Sequence, residues 1–215
     1  MRPERVVVVA GTGTEVGKTF VGAAVAHALR EQGHSVIARK PAQSNAPDDR
    51  VSDALVLGSA TGEAPETVCP KHRWYRVPLA PPMAAAVLKQ PPFSLSDLVL
   101  ETTASWPSAA VDVALVETAG GAWSPQASDG LHVGDFAAEI DADAVLLVAD
   151  PSLGVINAVR GAAAAFVQRR PLVVFLNRYD DDQQLHQYNL SWLASNDKFT
   201  VVTSAAEAAA MLVAI

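Results

Sequence analysis

Hydrophobic positions along the chain fall into two alternating kinds of segment. Short runs rich in β-branched residues occur at Val6–Ala10, Val36–Ala38, Val111–Val116, Ala144–Val148, Leu172–Leu176 and Thr200–Val202. They lack the polar alternation of a half-solvated strand, which predicts strands buried on both faces, as in a parallel sheet. Between them lie stretches rich in small and apolar residues and long enough for helices: Lys18–Glu31, Ser52–Ala60, Asp135–Ile140, Val155–Gln168 and Ala205–Val213. Strands alternating with helices predict βαβ units and a mostly parallel central sheet flanked by helices on both faces. The stretch from Pro65 to Pro92 is the least regular. Pro78, Pro81 and Pro82 would interrupt a long helix there, and two short helices near Met83–Lys89 and Ser94–Thr103 are expected. No repeat or Gly/Ser-rich linker breaks this order, so one α/β domain over residues 1–215 is expected. In an open sheet of this kind, ligands bind beyond the carboxyl ends of the strands. The loops that follow the strands are therefore where chemistry is to be sought.

Composition narrows the function classes. Half the residues are apolar and 18% are charged, enough for a sizeable core and unlike a disordered chain. Aromatics are only 6%, so helices must pack through Ala and Val. A net charge of −7 argues against nucleic acid or an anionic membrane as partner. The single cysteine, Cys69, excludes an internal disulfide and a cysteine-based zinc site. No run of 18 apolar residues and no secretion-signal pattern occurs, so the cytoplasm is the expected compartment.

The first strand runs into Gly11-Thr12-Gly13-Thr14-Glu15-Val16-Gly17-Lys18-Thr19, where a helix is expected to begin. Strand, glycine-rich loop, Lys-Thr and helix are the context of a phosphate-binding loop (P-loop). Backbone N–H groups converge there on phosphate oxygens, and the positive end of the helix dipole favours the anion. Lys18 is expected on the β/γ-phosphates and the Thr19 hydroxyl on Mg²⁺. The second strand ends in Lys40-Pro41, which offers a second cation beside that site. The strand Val111–Val116 leads to Glu117, an acid at a strand tip of the kind that holds Mg²⁺ or its waters.

Four segments together resemble the dethiobiotin synthetase family of P-loop enzymes. They are Gly-Thr-Gly-Thr-Glu-Val-Gly-Lys-Thr at 11–19, Lys40-Pro41 with Ser44 and the following Ser52-Asp53-Ala54-Leu55, Val116-Glu117-Thr118-Ala119-Gly120-Gly121, and Leu153-Gly154-Val155-Ile156-Asn157. That family also spaces its loop one residue wide.

The resemblance implies a P-loop NTPase-type fold and an ATP-dependent ring closure in biotin biosynthesis. CO₂ adds to one amine of 7,8-diaminononanoate, ATP phosphorylates the carbamate, and the second amine closes a cyclic urea. It implies catalytic roles for Lys18, Lys40, Thr14, Glu15 and Ser44. The nucleotide would lie against Gly13, Thr14, Glu15, Val16, Gly17, Lys18, Thr19 and Phe20, with Glu117 and Asn177. The diamino acid would meet Lys40, Ser44 and Gly120, and also Gly154, Val155, Ile156 and Asn157. The last four lie at a helix start that would take the tail carboxylate across the interface of a homodimer. Mg²⁺ would be the cofactor, ATP the co-substrate, and Thr19, Asp53 and Glu117 the metal ligands, with Asp48 and Asp49 as competitors of Asp53. Thr118 stands where the family usually has Gly, and a β-branched residue fits badly in a turn that needs positive φ. Asn177-Arg178-Tyr179-Asp180 also echoes the guanine-reading box of GTPases, so base preference stays open. Two other functions share these motifs: a partition- or maturation-type ATPase switch, and a nucleotide-binding relative without ligase activity.

Overall fold

Runs of Val and Leu too apolar to face water build a sheet covered on both sides. In chain order the strands are β1 (Arg5–Gly11), β2 (Val36–Arg39), β3 (Gln43–Ser44), β4 (Trp74–Tyr75), β5 (Val113–Glu117), β6 (Ala144–Ala149), β7 (Leu172–Leu176) and β8 (Thr200–Val202). The helices are α1 (Lys18–Glu31), α2 (Asp53–Thr61), α3 (Pro65–Val68), α4 (Pro81–Val87), α5 (Leu95–Ala104), α6 (Val133–Glu139), α7 (Val155–Ala163), α8 (Gln184–Ser195) and α9 (Ala205–Ala214). This is a computed structural model that describes residues 1–166 and 170–215. Among the described residues, six strands form one parallel sheet in the order β2-β5-β1-β6-β7-β8, and β3 pairs with β4 in a small separate ribbon.

Alternation along β1 divides the core in two. Val6, Val8 and Ala10 face a cluster with Phe136, Leu98 and Val159, whereas Val7 and Val9 face Val21, Val25, Leu29 and Leu212. Helices α1 and α9 therefore cover one face, and α5, α6 and α7 the other. Burying each large aliphatic side chain contributes roughly 1.5–3 kcal/mol.

Six expected strands are present, each within about two residues of its expected ends. Besides the two-residue strands β3 and β4 and the short helix α3, three features depart from the sequence pattern. Pro81 and Pro82 occupy the first positions of α4, where a missing N–H costs nothing and the fixed φ suits a helix, so these prolines start the helix. Helix α8 is not signalled, because its twelve residues are mostly polar and only Asn189 and Leu193 are buried. The expected helix Val155–Gln168 ends at Ala163, and its last two positions lie outside the described residues. No helix among the described residues is long and apolar enough to cross a membrane.

The irregular stretch after α2 is held by ion pairs as well as by packing. Arg73 reaches Glu101 of α5 with two hydrogen bonds of 2.7 and 2.9 Å and lies over the Phe93 ring at 4.1 Å. The His72 imidazole approaches the same carboxylate at 3.1 Å. Burial opposes the Glu101 charge, but Arg73 and His72 outweigh it and hold the carboxyl below its usual range. A depressed carboxyl contributes stability above its unfolded pKa and loses it as pH falls through the folded value. Glu101→Gln is thus expected to cost about 1–3 kcal/mol at neutral pH. The difference from wild type should shrink below about pH 4.5, where the unfolded carboxyl protonates. Urea titrations at several pH values measure it, and a difference constant down to pH 3 would contradict the pairing.

Candidate active site

The phosphate loop takes its shape from two elements at the sheet's carboxyl edge. β1 ends at Gly11, and α1 begins at Lys18 after Gly17, which has φ 93°. A Cβ built on Gly17 would overlap the Asn177 amide, which comes from the end of β7 and donates to the Val16 carbonyl at 2.9 Å. Asn177 therefore braces the loop from beneath. The loop after β5 closes on it from the side: the Ala122 N–H donates to the Gly11 carbonyl at 2.9 Å. Thr118, in that same loop, is buried and is not among the residues with positive φ; its N–H donates to the Val9 carbonyl at 3.1 Å. The turn accommodates its branched side chain.

Parallel pairing of β2 with β5, in register Arg39↔Val116, brings Lys40 and Glu117 together at adjacent strand ends. α2 supplies Asp53 from its first turn, and Ser52 caps that helix by accepting the Leu55 N–H at 3.2 Å. The Lys40 ammonium lies 2.6 Å from Glu117 Oε1 and 2.8 Å from Asp53 Oδ2. Thr19 Oγ1 is 2.9 Å from Asp53 Oδ1 and 2.9 Å from Glu117 Oε1. Lys18 Nζ donates to the Gly13 carbonyl at 3.2 Å.

Four formal charges meet here: Lys18 and Lys40 against Asp53 and Glu117. The group is neutral within the chain, although sequence alone suggests a positive pocket. Burial and the neighbouring Lys40 pull the Lys18 ammonium down to about 8. Burial also opposes the charge of Lys40, but Asp53 and Glu117 outweigh it and hold the ammonium above the usual lysine range. Lys40 holds the Asp53 carboxyl low, whereas burial raises that of Glu117 despite the same lysine. Glu117 Oε2 is buried without a hydrogen-bond partner, so one lone-pair face of this carboxylate is unused.

These groups line a cleft of about 640 Å³, together with Thr14, Glu15, Ser44 and the Pro78–Pro81 segment. Ser44 donates to the Leu79 carbonyl at 2.6 Å, so the Pro-rich stretch forms one wall. Gly120 also lines it. Of the three candidate acids of this region, Asp53 meets Thr19 and Lys40; Asp49 accepts the Ala46 N–H at 2.9 Å at the rim. Asp48 is not in the wall.

Several expected residues lie elsewhere. Phe20 is exposed on α1, outside the cleft wall, and Asn177 is buried behind the loop. Gly154–Asn157 are also outside this wall. Val155 is buried, Asn157 is exposed, and the preceding Leu153 is 88% exposed. Sequence reasoning misses Gln43, which lines the cleft while 2% exposed. Its Oε1 accepts the Ala54 N–H at 3.0 Å, and its Nε2 has no partner. A glutamine at a strand end carries no motif, so only the fold reveals it.

A parallel sheet with a braced glycine-rich loop and Lys-Thr at a helix start defines a P-loop nucleotide-binding protein. Residues 5–207 match the family model of an AAA domain. A dethiobiotin synthetase from Caulobacter sp. strain K31 is 36% identical over 159 residues, covering 73% of this chain and 68% of the relative. The chain belongs to the dethiobiotin synthetase family. The relative from Caulobacter vibrioides, an ATP-dependent dethiobiotin synthetase, is 39% identical over 68% of this chain. The match spans 66% of that protein's length, just under two thirds. Among solved structures, a plasmid partition protein from Borrelia burgdorferi superposes with TM-score 0.57 at 10% identity, covering 99% of this chain and 97% of that one. The signal recognition particle receptor FtsY from Elizabethkingia anophelis gives 0.56 at 17% identity over 94% of this chain and 58% of its own. Both likenesses speak to the fold.

Proposed function

We propose that this chain is an ATP-dependent dethiobiotin synthetase that closes a cyclic urea on 7,8-diaminononanoate. One observation carries the reading: a second lysine, Lys40, is buried beside the P-loop lysine and held by two carboxylates. A partition-type ATPase switch usually draws its second lysine from the start of the loop, where this chain has Gly11, Thr12, Gly13 and Thr14; here the second cation comes from the end of β2 instead. Relatives bearing the same activity in their names support it.

The chemistry needs cations on two anions at once. One amine of the substrate attacks CO₂, giving a carbamate and releasing a proton. The carbamate oxygen then attacks the γ-phosphorus, and ADP leaves. The second amine attacks the resulting carbonyl carbon, its C–O bond to phosphate breaks, and inorganic phosphate departs from the cyclic urea. Lys18 neutralises charge growing on the γ-phosphoryl group, and Lys40 does so for the carbamate. Thr14, Glu15, Ser44 and Gly120 shape the side of the cleft that receives the diamine, with Glu15 accepting from an ammonium. Gly13 to Thr19 follow the phosphates, with the exposed Phe20 left to meet the nucleotide outside the cleft wall; Glu117 serves the same region through its metal role, and Asn177 keeps the loop in its binding shape.

The oxygen-only set of Thr19, Asp53 and Glu117, with the unpartnered Glu117 Oε2, fits Mg²⁺, which prefers few carboxylates and several waters. When bound, it supplies positive charge to the β- and γ-phosphates. A second copy of the chain completes the site in this reading: Gly154, Val155, Ile156 and Asn157 lie at an exposed helix start and take the tail carboxylate of the substrate in the partner's cleft.

Purified protein with bicarbonate, Mg²⁺ and ATP should release phosphate only when the diamine is added. Release at the same rate without the diamine would reject the ligase reading in favour of an ATPase switch.

A further inference from the structure

Asp53 and Glu117 have two claims on them. Both acids are paired with Lys40, at 2.8 and 2.6 Å, and Thr19 Oγ1 lies 2.9 Å from each. Thr19, Asp53 and Glu117 are also the oxygen set that fits Mg²⁺, so lysine and metal draw on one pair of carboxylates. Among the described residues no other cation makes an ion pair with either acid. The pairing also covers the ammonium: the Lys40 side chain is 3% exposed and that of Glu117 2%. A lysine held in this way is not free to meet a substrate anion. Withdrawing it would leave Glu117 buried and uncompensated, which a protein interior tolerates badly. A second cation on the two acids removes that obstacle. Only the side-chain stem then has to turn, because the Lys40 N–H stays on the Val68 carbonyl at 2.7 Å.

We propose that Asp53 and Glu117 hold Lys40 in reserve, and that its ammonium turns to the carbamate only when Mg²⁺ shares these two acids. This rests on the ring-closure reaction proposed above. The ion pairs thereby order events in the cleft, since the lysine is withheld from anions until the acids are compensated. Metal and carbamate then bind cooperatively, and by linkage each tightens the other by the same factor. No covalent bond forms or breaks in the exchange and no proton moves. The ammonium trades its carboxylate acceptors for an oxygen of the substrate.

The probe is ¹³C-bicarbonate with the diamine and stoichiometric enzyme, without nucleotide, read as the carbamate carbon by NMR. In wild type, carbamate affinity should rise about tenfold or more from EDTA to saturating Mg²⁺. Calorimetry should find Mg²⁺ affinity raised by the same factor when diamine and bicarbonate are present. Asp53→Asn removes one of the two ion pairs by a nearly isosteric change at a partly exposed side chain. In EDTA this variant should bind carbamate about threefold or more tightly than wild type, and Mg²⁺ should then add less than about threefold. Loss of a metal ligand alone would leave the EDTA affinity unmoved. Equal carbamate affinity in wild type with and without Mg²⁺ overturns the proposal without recourse to any variant. An Asp53→Asn chain whose EDTA affinity for carbamate does not exceed that of wild type overturns it too. If that variant gains affinity for metal-free ATP instead, the lysine is withheld from a phosphate oxygen and its assignment to the carbamate falls. A wild-type chain with no carbamate signal in any condition and no diamine-dependent phosphate release overturns the ring-closure reading, and this proposal with it. Diamine-dependent release beside a carbamate signal indifferent to Mg²⁺ overturns this proposal alone.

Discussion

Lys40→Met is expected to abolish diamine-dependent phosphate release, to below about 1% of wild type, while ATP affinity changes only a few-fold. Lys40 meets Glu117 and Asp53 at 2.6 and 2.8 Å, and no other cation among the described residues makes an ion pair with either acid. Methionine matches the length of the aliphatic stem but leaves the buried Glu117 carboxylate facing the partly exposed one of Asp53. Breaking a buried pair by removing one partner costs about 3–5 kcal/mol, because the remaining charge is uncompensated. Glu117 can escape part of that cost by taking up a proton, since burial already pushes its carboxyl upward. The carboxyl of the variant is raised further above its unfolded value, so the deficit is present at high pH and diminishes as pH falls. Added Mg²⁺ should restore stability to the variant more than to wild type, because Thr19, Asp53 and Glu117 can then share the ion without competition from Lys40. Denaturant titrations at pH 6 and 8, with and without Mg²⁺, read all three effects. A collapse of ATP binding would show that Lys40 acts on the nucleotide rather than on the carbamate, and equal Mg²⁺ stabilisation of both proteins would show that Lys40 does not compete with the ion for Asp53 and Glu117.

Gly17→Ala should be the most disruptive small change in the loop. A left-handed φ of 93° disfavours any Cβ, and this one would also overlap the Asn177 amide. Backbone strain and overpacking each cost about 1–3 kcal/mol, so a loss of roughly 2–6 kcal/mol is expected. ATP affinity should fall about a hundredfold, because Asn177 must release the Val16 carbonyl and the loop N–H groups lose their convergence. Gly13→Ala is the control for stability. There a Cβ meets nothing nearer than Val16 Cγ1 at 3.9 Å, and the unliganded fold should change within about 0.5 kcal/mol. Adding Asn177→Ala to Gly17→Ala relieves the overlap but not the φ strain, and so should recover part of the loss. If the double variant is no better than the sum of the singles, the loop is not braced by Asn177 in this way.

Both effects depend on contacts between residues far apart in the chain, which marks how much the sequence could reveal. Six strands were legible because a parallel strand buried on both faces has no polar alternation to conceal it. The β3–β4 ribbon was not legible, since two-residue strands fall below any periodicity. Helix α8 escaped for a different reason: with Asn189 and Leu193 as its buried residues, its composition resembles a loop. In the sequence the prolines at 81 and 82 look like interruptions, yet position within a helix, and not proline itself, decides whether it breaks or begins one.

By itself the sequence determined the phosphate loop, because glycine spacing, Lys18, Thr19 and the strand before them are all local. It also brought Lys40, Asp53 and Glu117 forward as candidates. The resemblance already set Thr19, Asp53 and Glu117 around one metal; tertiary structure alone decided that Lys40 ion-pairs with both acids, through the pairing of β2 with β5 and the docking of α2 on α1. It also decided the charge of the site. A chain of −7 and two lysines at strand and helix ends suggest a positive pocket against an acidic surface. The fold instead sets two carboxylates against the two ammonium groups, because buried charge is tolerable only when paired. Net charge follows from composition, whereas local charge follows from which side chains the topology brings within three ångströms or so of one another.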